Sequence, residues 1–201
     1  MYGIGAADRY DGRVCYDEWI MKGSVAAFLL LASLPAQEKM TEPRYVNGNH
    51  LVRPEGYRHW MFVGANSGMG YREGKPNPNP TFHNIFIQPE AYRRFAETGK
   101  FPDKTILVME VVSIGTNASI NRHGQFQDKL IGIEVALKDS TRFAEQWAYF
   151  DFIGTGTKPL TEAKAFPKDA CWKCHNEHAA SDNVFTQFYP VLREVAKAPA
   201  R

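Results

Sequence analysis

Alternating apolar and polar residues, interrupted by turns rich in glycine and proline, predict a β-sheet as the centre of this chain. Aromatic and β-branched residues dominate five segments of strand length. The third and fourth segments follow one another through a turn-rich loop, and an antiparallel pair is the simplest way to join them. The predicted strands are residues 57–64, 82–88, 105–114, 125–137 and 147–153.

Two helices are predicted between these strands. Pro89 has the backbone geometry of a first helical position, Tyr92 and Phe95 share one face, and Gly99 is a typical residue just after a helix end. A second, short helix carrying Phe143 is expected after a cap formed by residues 138–140.

The last part of the chain predicts a loop over residues 154–167 and then one more helix. Ser181 or Asp182 is suited to cap that helix, and Pro190 would bend it. We expect its apolar face to be part of the core. The apolar residues that recur there at helical spacing are Val184, Phe185, Phe188, Leu192 and Val195.

The beginning of the chain has the layout of a secretory signal peptide over residues 21–36. A short positive start precedes an apolar run at residues 23–34 that is too short to span a membrane, and a small residue follows. We therefore expect translation to begin at Met21, with residues 1–20 a mis-called extension; a long leader or a lipid-facing anchor is the alternative. Residues 37–56 would be a polar lead-in to the main domain at residues 57–201.

Length and charge narrow the class of protein. A chain of 201 residues suits one ordinary domain with a sizeable core. Its net charge of +2, without a run of Lys or Arg, gives no basic patch, so nucleic acid is not an expected partner. After cleavage of the signal peptide, no stable membrane span is expected, and the location would be periplasmic or otherwise exported from a bacterium.

The strongest chemical signal is the sequence Cys-Trp-Lys-Cys-His at residues 171–175. This spacing is the attachment signature of a c-type haem, since two thiols two residues apart reach the two vinyl groups of one porphyrin edge. Cys171 and Cys174 would form the thioethers, and His175 would be the axial ligand of the iron. Only Cys15 then remains, so structural disulfides are not expected.

A zinc half-site and a thioredoxin-like redox pair are the alternatives for this motif. Zinc needs about four ligands, usually from a second cysteine or histidine pair, and the sequence has no such pair at similar spacing. A redox pair normally lies early in a βαβ unit, whereas this motif lies near the end of the chain. Haem attachment therefore explains the motif best.

The sixth coordination position of the iron decides the function, because a six-coordinate haem passes electrons and an open iron binds small molecules. His178 lies close to the same helix face as His175, so it cannot reach the opposite side of the porphyrin. For each upstream candidate a core or surface role is more common, and an open distal face is predicted. Those candidates are Met61, Met69, Met109, His59, His83 and His123.

Aromatic residues are plentiful enough to line a pocket over such an open iron. The sequence does not show which of them would face it. The aromatic residues available in the predicted strands are Trp60, Phe62, Phe82, Phe86, Tyr149, Phe150 and Phe152.

Several of these segments together resemble the cytochrome P-460 family, including its cytochrome c′-beta relatives. Aromatic and polar residues recur in the same order over about residues 57–195, and the likeness includes the Cys-Trp-Lys-Cys-His sequence. The segments that carry it are residues 89–92, 98–103, 138–143, 147–150, 170–175 and 179–192.

The resemblance implies an α+β fold, with an antiparallel β-sheet and flanking helices around one covalently attached c-type haem per chain, often in a homodimer. It also implies a five-coordinate iron that acts on small nitrogen species. Cytochromes P-460 proper oxidise hydroxylamine and carry a lysine cross-linked to the porphyrin. The cytochromes c′-beta lack that cross-link and bind nitric oxide in an apolar pocket.

This chain departs from the enzyme pattern at three positions. The cross-linking lysine of the family matches Met109, and a thioether cannot form the same bond to the porphyrin. Lys104 is five residues away, which in a strand points it to the other face. The family's pocket arginine matches His83, and its carboxylate ahead of the haem motif matches Asp169. His83 and Asp169 are the candidate catalytic residues, with a solvent-facing or helix-capping role as the alternative.

Three functional hypotheses follow. The first is an exported mono-haem cytochrome that binds nitric oxide or a related small nitrogen oxide. The second is a hydroxylamine-oxidising enzyme, for which a carboxylate base such as Asp169 would accept protons from the substrate. The third is a six-coordinate electron carrier. A redox partner such as another cytochrome is expected for turnover.

Overall fold

The computed structural model describes residues 40–70, 75–153 and 158–195. Within these ranges the strands form two antiparallel sheets. The strands are β1 (Tyr45–Val46), β2 (His50–Val52), β3 (Met61–Ser67), β4 (Thr81–Ile87), β5 (Ile106–Thr116), β6 (Gln125–Lys138), β7 (Trp147–Asp151) and β8 (Glu162–Lys164). The helices are α1 (Pro89–Thr98), α2 (Trp172–His178) and α3 (Pro190–Val195), with short 3₁₀ helices at Tyr57–His59 and Thr186–Phe188.

The larger sheet is a meander in the order β3-β4-β5-β6-β7, so each strand pairs with the next one in the chain. The smaller sheet has the order β1-β2-β8. The predicted mixed fold with an antiparallel sheet and few helices is confirmed. Each of the five predicted strands overlaps one strand of the larger sheet.

The two faces of the larger sheet bury different sets of side chains, because successive residues of a strand point to opposite faces. On one face Val108, Val135 and Leu137 pack with Leu51 and Ala163 of the smaller sheet. We call this the packed face. It is a continuous core of aliphatic and aromatic side chains.

The opposite face, which we call the cavity face, carries Ile87 and Leu107. It packs against Phe95 of α1 and against Leu192 of α3. Phe95 stacks on Phe101 with ring centroids 4.0 Å apart, which fixes α1 at one end of this face. The C-terminal segment covers the rest, and a cavity remains between that segment and the sheet.

The signals for α1 are confirmed. Pro89 is at the start of the helix, and Gly99 follows its last turn with φ at 69°. The backbone N–H of Gly99 donates to the carbonyl of Phe95 at 2.8 Å, which satisfies one of the carbonyls left open at a helix end. A side chain with a Cβ would be strained at this φ, so glycine is the residue this stop requires.

In the first part of the domain, one segment contains strands that the sequence did not predict, and one strand prediction is wrong. The polar lead-in at residues 37–56 contains β1 and β2, which pair with each other, and β2 also pairs with β8 through a long-range contact that no local pattern reveals. The single strand predicted at residues 57–64 is instead the 3₁₀ helix Tyr57–His59 followed by β3. That helix places Tyr57 in the packed core, which is why its aromatic residue is buried without a strand.

Three predictions near the end of the chain are also wrong. The short helix expected after residues 138–140 is a set of turns, because Asp139 uses its backbone and side chain to bind Gln146, Lys104 and Tyr45. The loop predicted at 154–167 contains β8. The helix expected from Ser181 or Asp182 onward is divided, since α3 begins only at Pro190.

The divided helix has a local cause. Asp182 and Asn183 adopt left-handed backbone angles, with φ at 43° and 59°, so no helix continues through them. Pro190, which was expected to bend a longer helix, begins α3 instead, and its missing N–H costs nothing there. The chain therefore turns between α2 and α3, directly beside the cavity.

Candidate functional site

The cavity lies between the cavity face of the sheet and the segment that runs from α2 to α3. It encloses about 950 Å³ of empty space, its open mouth included. Strands β4 to β7 supply one wall, and the residues after the Cys-Trp-Lys-Cys-His motif supply the other. Its lining residues are His83, Ile85, Leu107, Val108, Met109, Glu134, Val135, Ala136, Tyr149, Phe150, Phe166, Cys171, His175, Asn183, Val184, Phe185 and Tyr189.

The motif lies at the start of α2. Cys171 precedes the helix and lines the cavity, while Cys174 lies within the helix and is exposed. The backbone N–H of His175 donates to the carbonyl of Cys171 at 3.1 Å, so one helical turn brings the histidine beside the first cysteine. The indole N–H of Trp172 donates to the carbonyl of Glu145 at 3.2 Å, which fastens α2 to the turn before β7.

His175 is oriented for coordination through one nitrogen. Its Nδ1 lies 2.9 Å from the backbone oxygen of Asn183. A carbonyl only accepts hydrogen bonds, so Nδ1 carries the proton and Nε2 keeps its lone pair for a metal. Burial lowers the pKa of His175, while the bond to Asn183 acts in the opposite direction. The neutral imidazole is the form that a metal binds.

Two aromatic rings fix the plane of this imidazole. The centroid of the His175 ring lies 4.2 Å from that of Tyr149 and 4.5 Å from that of Phe185. The Tyr149 hydroxyl donates to the same Asn183 oxygen at 3.1 Å. The left-handed backbone of Asn183 thus aims one carbonyl at two side chains, which explains why the chain departs from helical geometry here.

The residues present fit a haem. The cavity has apolar walls, Cys171 at its edge and a histidine with a free nitrogen. In addition, the side-chain Nδ2 of Asn183 is buried without a hydrogen-bond partner in the described part of the chain. A buried amide donor without a partner is costly, and a polar group of a cofactor in the cavity would satisfy it.

Comparison with known proteins agrees with this geometry. Residues 54–186, about two-thirds of the chain, match the sequence model of the family described as Cytochrome P460. The chain belongs to the cytochrome P460 family. A search of the curated proteins gives no match. Membership in the cytochrome P460 family makes a haem the expected cofactor, and the matched range includes the motif, His175 and every strand of the larger sheet.

Two of the six residues considered as sixth ligands line the cavity, namely Met109 and His83. Met109 faces it from the middle of β5. His83 is on β4, where its Nε2 lies 3.0 Å from the Thr81 hydroxyl, and burial lowers its pKa. The other candidates, Met61, Met69, His59 and His123, are not among the residues that line the cavity.

Asp169, the other candidate catalytic residue, lies just before the motif in an exposed turn and is not part of the cavity lining. A carboxylate in contact with water is poorly placed to accept a proton from a molecule enclosed by the cavity. Its catalytic role stays a prediction. The structure brings His83, Met109, Cys171 and His175 together around one cavity, and it places Asp169 and Cys174 outside the lining.

Glu134 is the functional candidate that the sequence analysis did not identify. It lines the cavity from β6, where it pairs with Met109 of β5 and with Asp151 of β7. Burial raises the pKa of its carboxyl, and the negative charge of Asp151 raises it further. A signal was present in the sequence, since an acidic residue between Ile133 and Val135 interrupts an apolar stretch of a strand.

The aromatic lining differs from the set named from the sequence. Tyr149 and Phe150 line the cavity, and Phe166, Phe185 and Tyr189 complete the aromatic part of its wall. The last three come from segments predicted as loop or as a continuous helix. Five aromatic residues that were named from the sequence are not part of the lining, namely Trp60, Phe62, Phe82, Phe86 and Phe152.

None of the helices in the described part of the chain has the length and apolar character that crossing a membrane requires. The predicted signal peptide at residues 21–36 and the extension at residues 1–20 lie outside the described residues.

Proposed function

We propose that this chain is an exported c-type cytochrome that carries one haem, covalently attached through Cys171 and Cys174, and binds nitric oxide or a related small nitrogen oxide. When bound, the haem would supply an iron that can take up a small ligand. The Cys-Trp-Lys-Cys-His motif supports covalent attachment, and membership in the cytochrome P460 family supports the cofactor.

The orientation of His175 is the observation that carries the proposal. The bond between its Nδ1 and the Asn183 carbonyl leaves Nε2 directed away from that carbonyl and available as the proximal ligand. Tyr149 and Phe185 prevent the ring from turning. These contacts form one rigid side of the site and support a role for His175 in proximal coordination.

The aliphatic part of the cavity wall favours a small aprotic ligand. Ile85, Leu107 and Ala136 line the cavity with aliphatic groups, which exclude water and form no hydrogen bonds. Met109 is at the position where the resemblance to the enzymes implies a lysine, and its thioether cannot form an amine link to a porphyrin. The site therefore supports reversible binding of nitric oxide better than turnover with a cross-linked haem.

An optical spectrum of the purified protein tests this proposal. We expect a high-spin ferrous haem with a broad Soret band that changes on addition of nitric oxide. A colourless protein would contradict it, as would a low-spin ferrous spectrum with sharp alpha and beta bands before any ligand is added. The second result would favour an electron carrier with Met109 or His83 as sixth ligand.

Covalent attachment is tested by a double cysteine variant and a matched control variant. Cys171→Ala combined with Cys174→Ala should abolish haem staining of the denatured chain, because both thioether bonds are lost. Lys173→Ala should retain full staining, since this exposed side chain between the two cysteines forms no thioether. Equal staining of both variants would refute the attachment.

Hydroxylamine oxidation is the second candidate, and two ionisable residues in the wall of the cavity favour it. His83 and Glu134 give the cavity ionisable groups that binding of nitric oxide does not need. Turnover of hydroxylamine with an artificial electron acceptor would establish the enzyme, and no turnover would leave the binder. In Met109→Lys, a new covalent link to the porphyrin would support the match of Met109 to the family's lysine.

Export and assembly remain part of the proposal. Cleavage at the end of residues 21–36 would give a mature terminus near Gln37, which N-terminal sequencing of the exported protein would detect. An intact Met1 would refute it. A homodimer and a redox partner such as another cytochrome are predicted from the resemblance alone, and the mass of the protein in solution tests the first.

A further inference from the structure

We propose that Tyr149 is a positioning residue whose hydroxyl shares the Asn183 carbonyl with His175 and so limits how strongly this imidazole donates electrons to an iron. The inference rests on one part of the proposed function, a haem whose iron is bound by His175. It does not depend on which small molecule the site takes up. It gives a tyrosine of the sheet an influence on how easily the iron is reduced.

One backbone oxygen lies within hydrogen-bond distance of both side chains. The Nδ1 of His175 is 2.9 Å from the oxygen of Asn183, and the hydroxyl oxygen of Tyr149 is 3.1 Å from the same atom. A carbonyl has two lone pairs and only accepts, whereas a neutral phenol and a neutral imidazole each have one proton to donate. Both side chains draw on the electron density of one oxygen, so the bond from His175 is weaker than it would be alone.

The shared oxygen is held in place by the turn that carries it. Asp182 and Asn183 are the two left-handed residues of this turn. The carboxylate of Asp182 accepts from the indole N–H of Trp147 at 3.1 Å and from the ammonium of Lys138 at 2.7 Å. These bonds fasten the turn to β7 and to the end of β6. The oxygen of Asn183 therefore cannot follow one donor and abandon the other.

The hydroxyl of Tyr149 is fixed equally well. Tyr149 pairs with Ala136 on one side of β7, and on the other side its backbone carbonyl accepts from the N–H of Phe166 at 2.8 Å. The residue is 7% exposed, so bulk water competes little for its hydroxyl. Its ring contacts the ring of His175, with centroids 4.2 Å apart. Removing the hydroxyl thus changes one defined bond and leaves the ring in place.

The shared acceptor has a consequence for the metal-binding nitrogen. A hydrogen bond donated by Nδ1 makes the imidazole more basic, so Nε2 of His175 becomes a stronger ligand. A stronger ligand stabilises the more positive, ferric iron and lowers its reduction potential, since hydrogen bonds to the axial ligand tune haem potentials. The Tyr149 hydroxyl acts against this effect, because it occupies part of the acceptor. It keeps the iron easier to reduce than His175 and Asn183 alone would.

Tyr149→Phe tests the inference in the haem-loaded protein, because it removes the hydroxyl and keeps the ring. We expect the iron–histidine stretching frequency in the resonance Raman spectrum of the ferrous protein to rise. The equilibrium constant for reduction should fall about two- to threefold, a fraction of what a whole hydrogen bond contributes. That corresponds to a potential lower by about 20–30 mV, at about 59 mV per tenfold change for one electron.

Replacing Tyr149 by 3-fluorotyrosine should shift both readouts in the opposite direction. The fluorine withdraws electrons from the ring, so the phenol becomes a stronger donor and takes a larger share of the Asn183 oxygen. We therefore expect a lower stretching frequency and a higher potential. A role of Tyr149 in packing alone would not give shifts of opposite sign in the two variants.

Tyr57→Phe is the matched control. Tyr57 is also 7% exposed, and its hydroxyl donates to Glu110 at 2.7 Å on the packed face, away from the cavity. This variant removes an equally buried, hydrogen-bonded hydroxyl, and it should leave the stretching frequency and the potential unchanged. Equal values in Tyr149→Phe and Tyr57→Phe would overturn the inference. So would shifts of the same sign in the two variants at position 149, or a ferrous spectrum without an iron–histidine band.

These measurements use no nitric oxide, so they separate the two proposals. A protein that binds nitric oxide while Tyr149→Phe changes neither readout would keep the proposed function and refute the role of Tyr149. Opposite shifts in the two variants of a protein that never binds nitric oxide would refute that function and keep the role of Tyr149.

Discussion

Glu110 and Glu134 are carboxylates in the interiors of adjacent strands, and they lie on opposite faces of the same sheet. Glu110, on the packed face, is 6% exposed and accepts two hydrogen bonds of 2.7 Å, from the Tyr57 hydroxyl and from the Arg58 guanidinium. Glu134, on the cavity face, has no cationic partner within the described ranges and faces Asp151. One carboxylate is satisfied within the protein, and the other is not.

The difference shows how the two faces are used. A buried charge is tolerated when a partner compensates its lost hydration, as Tyr57 and Arg58 do for Glu110. A carboxyl without such a partner costs stability, and such groups are concentrated at functional sites. The packed face is therefore the part that stabilises the fold, while the cavity face gives up some stability for a site.

Replacing one leucine on each face by alanine should give the largest difference in stability between the two faces. Leu137 is fully buried on the packed face, and Leu107 lines the cavity from the neighbouring strand. Leu137→Ala should lower the free energy of unfolding by about 4–5 kcal/mol, because a new cavity forms in a filled core. Leu107→Ala should cost about 2 kcal/mol, since empty space is already present beside it.

Urea denaturation of both variants, followed by circular dichroism, measures this difference. The same samples should show altered ligand binding only for Leu107→Ala. Equal losses of stability would mean that the cavity face is packed as tightly as the other one, and the comparison of the two faces would then fail.

Much of the larger sheet and the limits of α1 can be predicted from the sequence. Residues 105–114 and 125–137 alternate clearly enough to identify two central strands, and Pro89 and Gly99 delimit α1. The smaller sheet could not be predicted, because its three strands are two or three residues long and β2 pairs with β8 across more than a hundred positions of the chain. Short strands stabilised by distant partners leave no periodic signal.

The candidate site was also predictable only in part, because some of its residues depend on contacts between distant segments. The haem motif is local, so Cys171, Cys174 and His175 are identified by spacing alone. Glu134 becomes a site residue only through its register with Met109, and register depends on pairing that a single sequence does not show. Asn183 is similar, because its role comes from a left-handed backbone that the predicted helix did not include.

The same substitution at each glutamate should have different effects on stability. Glu110→Gln should lower the free energy of unfolding by about 2–3 kcal/mol, since two charge-assisted hydrogen bonds lose strength. Glu134→Gln should be neutral or stabilising by less than about 1 kcal/mol, because it removes repulsion from Asp151. Chemical denaturation at neutral pH compares the two, and a larger loss for Glu134→Gln would show that this carboxyl is structural.

The change in stability at low pH should also distinguish Asp139, a carboxylate with hydrogen-bond partners, from Glu134. Burial opposes ionisation of Asp139, but hydrogen bonds from Lys104, Tyr45 and Thr141 outweigh it and lower its pKa from 3.8 to about 2. Stability from this group is present above pH 3.8 and is lost as pH falls through its folded pKa. We expect a loss of about 1–2 kcal/mol between about pH 4 and pH 2, which Asp139→Asn should remove.

The contribution of Glu134 to the free energy of unfolding should change with pH in the opposite direction. Its pKa is raised in the folded protein, so its contribution to stability is present at pH below the ordinary pKa of glutamate and is lost as pH rises through the folded value. The stability difference between Glu134→Gln and the unsubstituted protein should therefore increase with pH in favour of the variant. Denaturation curves at a series of pH values measure both slopes. If the two slopes had the same sign, Glu134 would have to be stabilised by a partner, and the cavity face would then bury its carboxylate in the same way as the packed face buries Glu110.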